Sequence, residues 1–382
     1  MNFNDEILSE LRKNVKEFVA REIEPIALKM DQEDYFPIDI FKKMGKMGYL
    51  GITVPEEYGG SGLGYVGQAI IEEEIGYSSP SLALSYGAHS NLTLDNLFRN
   101  GNSKQREEYV PALCSGEKIG SLGLTEPSSG SDALAMKSKA TLSGDHYILN
   151  GSKTYITNAP YSDIFLVYAR TGQNYTAFIV RSEDEGFSRG KKFNKMGMRG
   201  SPTGEIFFDN IKLNTERVLG GENSGKDIIL GGLNSERAIL SFIFVGLARR
   251  ALEEAVKYSI ERKQFGQSLY EFEMIQDKLA TMYTEYRASK LLAYDALSSV
   301  ENNNMDVKSA ASSILYSAIV AERVSREAIQ IFGGNGYMKD TGVERLLRDA
   351  ILGQIGAGTT EIRKKLIANS LIKDFQKGRG LE

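Results

Sequence analysis

The sequence predicts a multidomain α+β protein: an N-terminal α-helical domain over residues 1–117, a middle β-sheet, barrel-like domain over 118–224, and a C-terminal four-helix-bundle-like domain over 225–382. Three observations carry this. The hydrophobic period is helical at first, gives way to short β-branched and aromatic runs, and then turns helical again. Glycine and proline thin out after about residue 225, where the helical runs become long. Finally, 382 residues exceed the size at which one hydrophobic core keeps growing, so several packed units are expected.

In chain order, Ile7, Leu8, Leu11, Val15, Phe18, Val19 and Ile23 recur at helical spacing, with Asn4 or Asp5 placed to cap the start. Similar patterns follow at Phe41, Met44 and Met47, at Val66, Ile70, Ile71 and Ile75, and over residues 82–98, separated by breaks such as Tyr58-Gly-Gly-Ser-Gly-Leu-Gly64. Strands are expected over 136–142, 146–149, 164–169, 176–180 and 205–213. Ser143-Gly144-Asp145 reads as a tight turn, and Asn150-Gly151 as a type I′ hairpin turn. Helical periodicity then runs over 228–263, 271–300 and 307–332, as long antiparallel helices would require.

Composition narrows the chemistry. A hydrophobic share of 41%, a charged share of 25% and a net charge of −4 describe a folded protein without the basic patch that nucleic acid demands. One cysteine, Cys114, and two histidines, His89 and His146, exclude an internal disulfide and leave too few ligands for the common metal sites. No metal is expected. The longest nearly apolar stretch, 238–248, falls short of the roughly 20 residues of a membrane span, so no span and a cytoplasmic location are expected.

Four segments are able to carry chemistry, each with a plainer alternative. Leu122-Gly-Leu-Thr-Glu-Pro-Ser-Ser-Gly-Ser-Asp132 gathers hydroxyls and glycine-freed N–H groups that suit a flavin or phosphate, or simply cap a strand. Gly333-Gly334-Asn335-Gly336-Tyr337 allows close approach of a large ligand, or ends a helix. Ile355-Gly-Ala-Gly-Thr-Thr-Glu-Ile-Arg363 sets small residues at a helix start, fit for a ligand or for a tight junction. Arg262-Lys263-Gln264-Phe265-Gly266 ends a helix with cations that complement its dipole or meet phosphates. The sharpest single residue is Glu236, which shares a helix face with Ile229, Gly232, Leu233, Ile239, Leu240 and Ile243. Desolvation there raises a carboxylate toward the range of a general base, unless Arg237 or Arg249 pairs with it. His89 reads as a structural histidine.

Taken in order, Leu124-Thr-Glu-Pro-Ser-Ser-Gly-Ser-Asp132, Tyr147-Ile-Leu-Asn-Gly-Ser-Lys-Thr-Tyr-Ile-Thr-Asn158, Lys195-Met-Gly-Met-Arg-Gly200, Glu261-Arg-Lys-Gln-Phe-Gly266, Phe332-Gly-Gly-Asn-Gly-Tyr337 and Arg348-Asp-Ala350 resemble the acyl-CoA dehydrogenase family, from the first helix to about residue 370. Within it the likeness is to the isovaleryl-CoA branch, through Leu84-Ser-Tyr-Gly-Ala-His-Ser-Asn-Leu92 and Ile355-Gly-Ala-Gly-Thr359. Most relatives place a catalytic glutamate where Ala357 stands; the isovaleryl and long-chain branches carry it on the long helix, in a context that Asn234-Ser-Glu-Arg237 matches at Glu236 and Arg237. The resemblance thus implies FAD-dependent α,β-dehydrogenation of a short, branched acyl-CoA, with Glu236 taking the α proton, flavin N5 accepting the hydride, and the Ala357 N–H and a ribityl hydroxyl receiving the thioester oxygen.

For FAD the resemblance implies Leu122, Leu124, Thr125, Gly130, Ser131, Tyr155, Ile156 and Thr157 around the ring, with Thr359, Thr360 and Glu361 nearby. Arg262, Gln264, Phe265, Gln330, Ile331, Gly333 and Gly334 are implied to reach the FAD of a neighbouring subunit in a homotetramer built from dimers. Ser131, Asn234, Arg237, Gly356, Ala357 and Gly358 are implied to contact the acyl-CoA, and electron-transfer flavoprotein to be the electron acceptor. The sequence departs from the pattern at Tyr155, where tryptophan is usual, at Asn234, where aspartate is usual, and at Asp227 and Glu273. A straight-chain or 2-methyl-branched substrate, an acyl-CoA oxidase and a catalytically silent acyl-CoA or flavin binder are the competing readings.

Overall fold

The computed structural model describes residues 6–302 and 306–380, so the expected cap at Asn4 or Asp5 lies outside the described residues. Helices α1 (Glu6–Phe18), α2 (Ala27–Gln32), α3 (Ile38–Lys46), α4 (Gly64–Ser78), α5 (Pro80–Gly87), α6 (Asn96–Asn100) and α7 (Ser103–Cys114) come first. Strands β1 (Gly120–Gly123), β2 (Lys139–Ser143), β3 (His146–Thr157), β4 (Ile164–Thr171), β5 (Asn174–Arg181), β6 (Phe187–Arg189), β7 (Thr203–Asn214) and β8 (Val218–Leu219) follow. Then come α8 (Gly225–Glu261), a two-stranded hairpin β9 (Lys263–Gln264) and β10 (Gln267–Ser268), and helices α9 (Glu273–Glu301), α10 (Val307–Phe332), α11 (Val343–Ile351) and α12 (Thr360–Gln376).

The first and last groups of helices share one core, in which Leu11, Ile71, Phe242, Ile243, Leu297 and Val324 are buried together. Their closest approach is between α4 and α8. A Cβ on Gly246 would lie 2.2 Å from the Glu73 carbonyl, and one on Gly76 would lie 2.9 Å from the Ile243 Cα, so only glycines let the two backbones touch. α8 is long and apolar enough, by length and composition, to cross a membrane, although the sequence stretch 238–248 alone is not. Its apolar window is instead 72% buried inside the protein, which makes it the core rod of the bundle formed with α9, α10 and α12.

The strands form one sheet in the order β6-β7-β3-β2-β4-β5-β8, with β1 pairing parallel to β4. The barrel-like expectation is corrected here: the pairing path has two free ends, β6 and β8, and does not close. The reason lies at β2. It pairs with β3 along its whole length but with β4 only at Lys139 and Arg170, so it forms one corner and folds the sheet into two facing halves. Leu149, Ile206 and Ile211 from one half pack against Phe165, Val167 and Phe178 from the other.

The two turn signals behave differently. Ser143-Gly144-Asp145 does connect β2 to β3, with Gly144 at φ +65. Asn150-Gly151 is no hairpin turn. It sits inside β3 as a bulge, where the register against β7 shifts between Leu149 and Gly151. Gly151 has φ +143, and a Cβ on it would fall 2.3 Å from the Ser138 hydroxyl, so the glycine serves a close crossing of strands.

Candidate active site

Glu236 lies in the first half of α8 and lines a cavity together with Glu72 of α4, Leu84 and Gly87 of α5, Thr157 at the end of β3, and Ile239 and Leu240 one turn further along α8. Ala88, Asn91 and Leu92 complete the wall. They belong to a π-helical stretch, Ala88–Asp95, through which α5 runs on into α6, and such widened turns tend to occur where a helix serves a site. The space between these residues that can hold the centre of a water-sized sphere is about 40 Å³, and it opens to solvent. A second recess shares Leu92 and is lined by Leu122, Leu124, Ile229, Gly232 and Leu233, which brings the start of the 122–132 loop against α8 one to two turns before Glu236.

The Glu236 carboxyl has Oε2 buried without a hydrogen-bond partner among the described residues. Burial pushes its pKa up to about 7, against the opposing pull of the Arg237 and Arg363 charges. Neither candidate counterion claims it. Arg249 Nη2 sits 2.6 Å from a Glu74 oxygen and Nη1 3.4 Å from Glu73, while Arg237 Nη1 donates to Asn234 Oδ1 at 2.8 Å. The Glu236 carboxyl is thus raised by burial toward neutral pH, with neither Arg237 nor Arg249 hydrogen-bonded to it.

The segment before α12 curls round the same part of α8. Ala357 (φ +53) and Gly358 (φ +91) hold left-handed backbone in succession, and the Arg237 Nε donates to the Ala357 carbonyl at 3.4 Å. Arg363, fully buried, donates to the carbonyls of Gly353 and Gly356 and fixes the curl from within. Thr359 caps α12, accepting from the Ile362 N–H at 3.4 Å, so Thr360 and Glu361 occupy the first turn, whose N–H groups and dipole favour an anion. Asn234, Gly356 and Thr360 are half-buried.

On the β side, Lys153 organises the 122–132 loop. Its buried ammonium donates to the Leu124 carbonyl at 3.1 Å and to Glu126 at 2.9 Å, and Glu126 in turn accepts from the Lys137 and Ser138 N–H groups. Thr154 N–H adds a bond to the Thr125 carbonyl at 2.9 Å. The loop's outer residues Gly130 and Ser131 remain exposed, and a Cβ at Gly130 would meet nothing. A second register shift in β3, between Lys153 and Ile156, turns Tyr155 outward at φ +58, leaving its ring 69% exposed beside Phe193. Ile156 points into the sheet core, and Thr157 lines the cavity.

The remaining predicted residues gather elsewhere. Arg262, Gln264 and Phe265 lie in or beside the β9–β10 hairpin after α8, and Gln330, Gly333 and Gly334 lie at the end of α10. Tyr258 stacks on Phe332 with centroids 4.1 Å apart, and its hydroxyl accepts from Asn335 at 3.1 Å, which clamps the two helix ends together. The side chain of Ile331 is buried, whereas Phe265 is 95% exposed. Arg262 caps the C-terminus of α8, 26 residues after Glu236, a separation of about 39 Å at 1.5 Å per residue. Within one chain this group is remote from the Glu236 cavity.

His89 is structural, as expected. Its Nε2–H donates to the Leu113 carbonyl at 2.9 Å and its Nδ1 accepts from the Gly120 N–H at 3.0 Å, so the neutral ring ties α7 to β1. Burial holds its pKa down at about 4. Glu72, Lys153 and Arg363 are not distinguished as site residues by the sequence alone. Lys153 and Arg363 stand inside quoted motifs, but nothing in a sequence announces that a lysine or arginine is buried. Glu72 is missed because α4 is buried on every side from Val66 to Gly76, so periodicity has no polar face to report.

Three family models match the chain in order: the acyl-CoA dehydrogenase N-terminal domain over residues 5–117, its middle domain over 121–211, and its C-terminal domain over 223–372. Isovaleryl-CoA dehydrogenase, mitochondrial, of Pongo abelii is 43% identical over 375 residues, covering 96% of this chain and 89% of its own. The structure of butyryl-CoA dehydrogenase from Megasphaera elsdenii superposes with a TM-score of 0.95 at 34% identity, covering 97% of this chain and all of its own. A structure described as electron transferring flavoprotein of Acidaminococcus fermentans superposes with a TM-score of 0.96 at 34% identity, covering 98% of this chain and 100% of its own.

Proposed function

The chain belongs to the acyl-CoA dehydrogenase family, a family of flavin-dependent oxidoreductases, and from that premise we propose that it removes the α and β hydrogens of a short, branched acyl-CoA with Glu236 as the base. The observation that carries the assignment is the unpartnered carboxyl of Glu236 at a cavity wall, with its pKa raised to about 7. A group so poised accepts a proton near neutral pH and returns it cheaply. Ala357, where a second carboxylate would otherwise stand, offers only its backbone N–H, which receives the thioester oxygen as negative charge develops there. Leu84, Leu92, Ile239 and Leu240 hold the acyl chain out of water, and the small side chains of Gly356 and Ala357 leave width for a branch.

The residues present suit FAD. Outward-turned Tyr155 offers a flat exposed surface, the loop at Gly130 and Ser131 is open, and Thr157 shares the cavity with Glu236. Leu122, Leu124, Thr125, Ile156, Thr360 and Glu361 would hold the ring and its first phosphate-bearing portion from either side. When bound, FAD supplies the acceptor for the β hydrogen as hydride. The nucleotide portion would reach Arg262, Gln264, Phe265, Gln330, Ile331, Gly333 and Gly334 of another subunit. That reading is supported by the roughly 39 Å that α8 puts between Glu236 and Arg262 and by the near-complete exposure of Phe265. Such a shared site needs at least two subunits, and we propose that they assemble as a homotetramer of paired dimers. Electron-transfer flavoprotein as the acceptor is supported by the likeness to the Acidaminococcus fermentans structure.

The test is an anaerobic titration of the yellow protein with isovaleryl-CoA, butyryl-CoA and 2-methylbutyryl-CoA, followed by flavin absorbance. Bleaching at the lowest concentration with isovaleryl-CoA supports dehydrogenation and the preference for a branch among these three thioesters. Preferential bleaching by another thioester discards the branch, and bleaching by none discards dehydrogenation.

A further inference from the structure

The cavity that holds Glu236 contains a second carboxyl that the reaction does not use. Glu72 is fully buried, and neither of its oxygens has a hydrogen-bond partner among the described residues. Its neighbours on α4 show that the helix does not lack counterions: Glu73 meets Arg12 at 3.1 Å and Lys290 at 2.6 Å, and Glu74 meets Arg249 at 2.6 Å. Glu72 faces the other way, onto the cavity wall shared with Leu84, Gly87 and Asn91. Gly87 makes the space for it, since a Cβ there would lie 2.7 Å from Glu72 Oε1.

Two further buried polar groups stand beside it half satisfied. Asn91 Nδ2 donates to Gln68 Oε1 at 3.2 Å, which leaves Asn91 Oδ1 and Gln68 Nε2 without partners. Gln68 precedes Glu72 by one helical turn, so both lie on one face of α4. A pocket meant only for hydrocarbon gains nothing from a carboxyl and an amide with unused hydrogen-bonding capacity, because each costs desolvation that an apolar side chain avoids. Burial raises the Glu72 pKa well above that of a free carboxylate and so favours the protonated form, which is a donor and an acceptor together.

Resting on the dehydrogenase reading above, we propose that Glu72 is a specificity-determining residue, and that the substrate is a short acyl thioester whose tail carries a hydroxyl that bonds to Glu72 inside the Glu236 cavity. A site built to bond a hydroxyl rejects the analogue that lacks it far more strongly than an apolar pocket rejects the hydroxyl.

The experiment compares isosteric thioesters, 4-hydroxybutyryl-CoA against pentanoyl-CoA and 5-hydroxypentanoyl-CoA against hexanoyl-CoA. Affinities are read by calorimetry on flavin-loaded protein in an E236Q background, where turnover does not interfere. Tighter binding of a hydroxyl member by about tenfold or more is expected, with the preference reversed by Glu72→Leu and largely kept by Glu72→Gln, which retains a donor and an acceptor. A ratio that Glu72→Leu leaves unmoved, or one that Glu72→Gln abolishes as fully as Glu72→Leu does, overturns the proposal. Flavin bleaching by the same thioesters in the protein with Glu236 intact is read separately. Bleaching with an unmoved ratio removes Glu72 and keeps dehydrogenation, and a moved ratio without bleaching does the reverse.

Discussion

Replacing Glu236 by Gln separates what the carboxylate does for chemistry from what it costs the fold. Its pKa rises from an ordinary 4.5 to about 7, so the folded protein favours the neutral form. At about 1.4 kcal/mol per unit the full shift is worth ~3 kcal/mol, and because Glu236 keeps part of its surface on the cavity, 1–3 kcal/mol is on the order of what should be measured. The sign follows from proton binding. Below pH 4.5 both states carry the proton and nothing is lost; as pH rises from 4.5 to about 7 the unfolded chain ionises first and stability falls. Gln has no such loss, so Glu236→Gln should match the parent near pH 4.5 and exceed it by roughly 1–3 kcal/mol at pH 8 in denaturant unfolding. Turnover moves oppositely. The ionised fraction of the parent base falls about tenfold between pH 8 and pH 6, and kcat/KM should follow it. Glu236→Gln should lose at least roughly a hundredfold in anaerobic flavin bleaching while remaining folded and yellow. Near-normal turnover, or a stability difference that ignores pH, would refute the argument.

Lys153→Met should strand the buried Glu126 carboxylate and cost about 3–5 kcal/mol. Released from its anchor, the 122–132 loop should hold flavin poorly, visible as colourless protein and a raised FAD dissociation constant. His89→Gln should flatten the acid limb of stability. A histidine held at about 4 loses stability as pH falls from 6.5, and the parent-minus-variant difference between pH 6.5 and 4 should be about 3 kcal/mol in denaturant titrations. Phe265→Ser, at a 95% exposed position, should leave the unfolding of the single chain unchanged but lower the assembly mass in light scattering. An unchanged mass would remove Phe265 from any subunit contact.

What the sequence discloses, and what it hides, divides along physical lines. The long helices are legible because α8, α9 and α10 repeat their apolar residues over many turns, and their observed bounds fall within two or three residues of the expected ones. Glu236 is legible for the same reason, as a charge interrupting an apolar stripe. The β1 strand is not, since Gly120-Ser-Leu-Gly123 lacks β-branched residues and is held in place by His89 and by parallel pairing with β4. Asn150-Gly151 misleads because a glycine that permits a turn also permits a bulge, and only the proximity of Ser138 decides between them. Burial of whole polar groups is set by distant partners. Arg249 resembles a counterion for Glu236 until α4 presents Glu73 and Glu74 to it.

The rigidity of α8 has a genetic corollary. One rod carries the proposed base in its first half and the proposed contacts to a neighbour's cofactor at its far end, so on the proposed reading each site in a dimer would be assembled from two chains. Mix a chain bearing Glu236→Gln with a chain bearing Arg262→Ala, each inactive alone, and half of every hybrid dimer regains an intact site while the other half carries both lesions. Two defective alleles would then complement each other, to a ceiling of one working centre per pair.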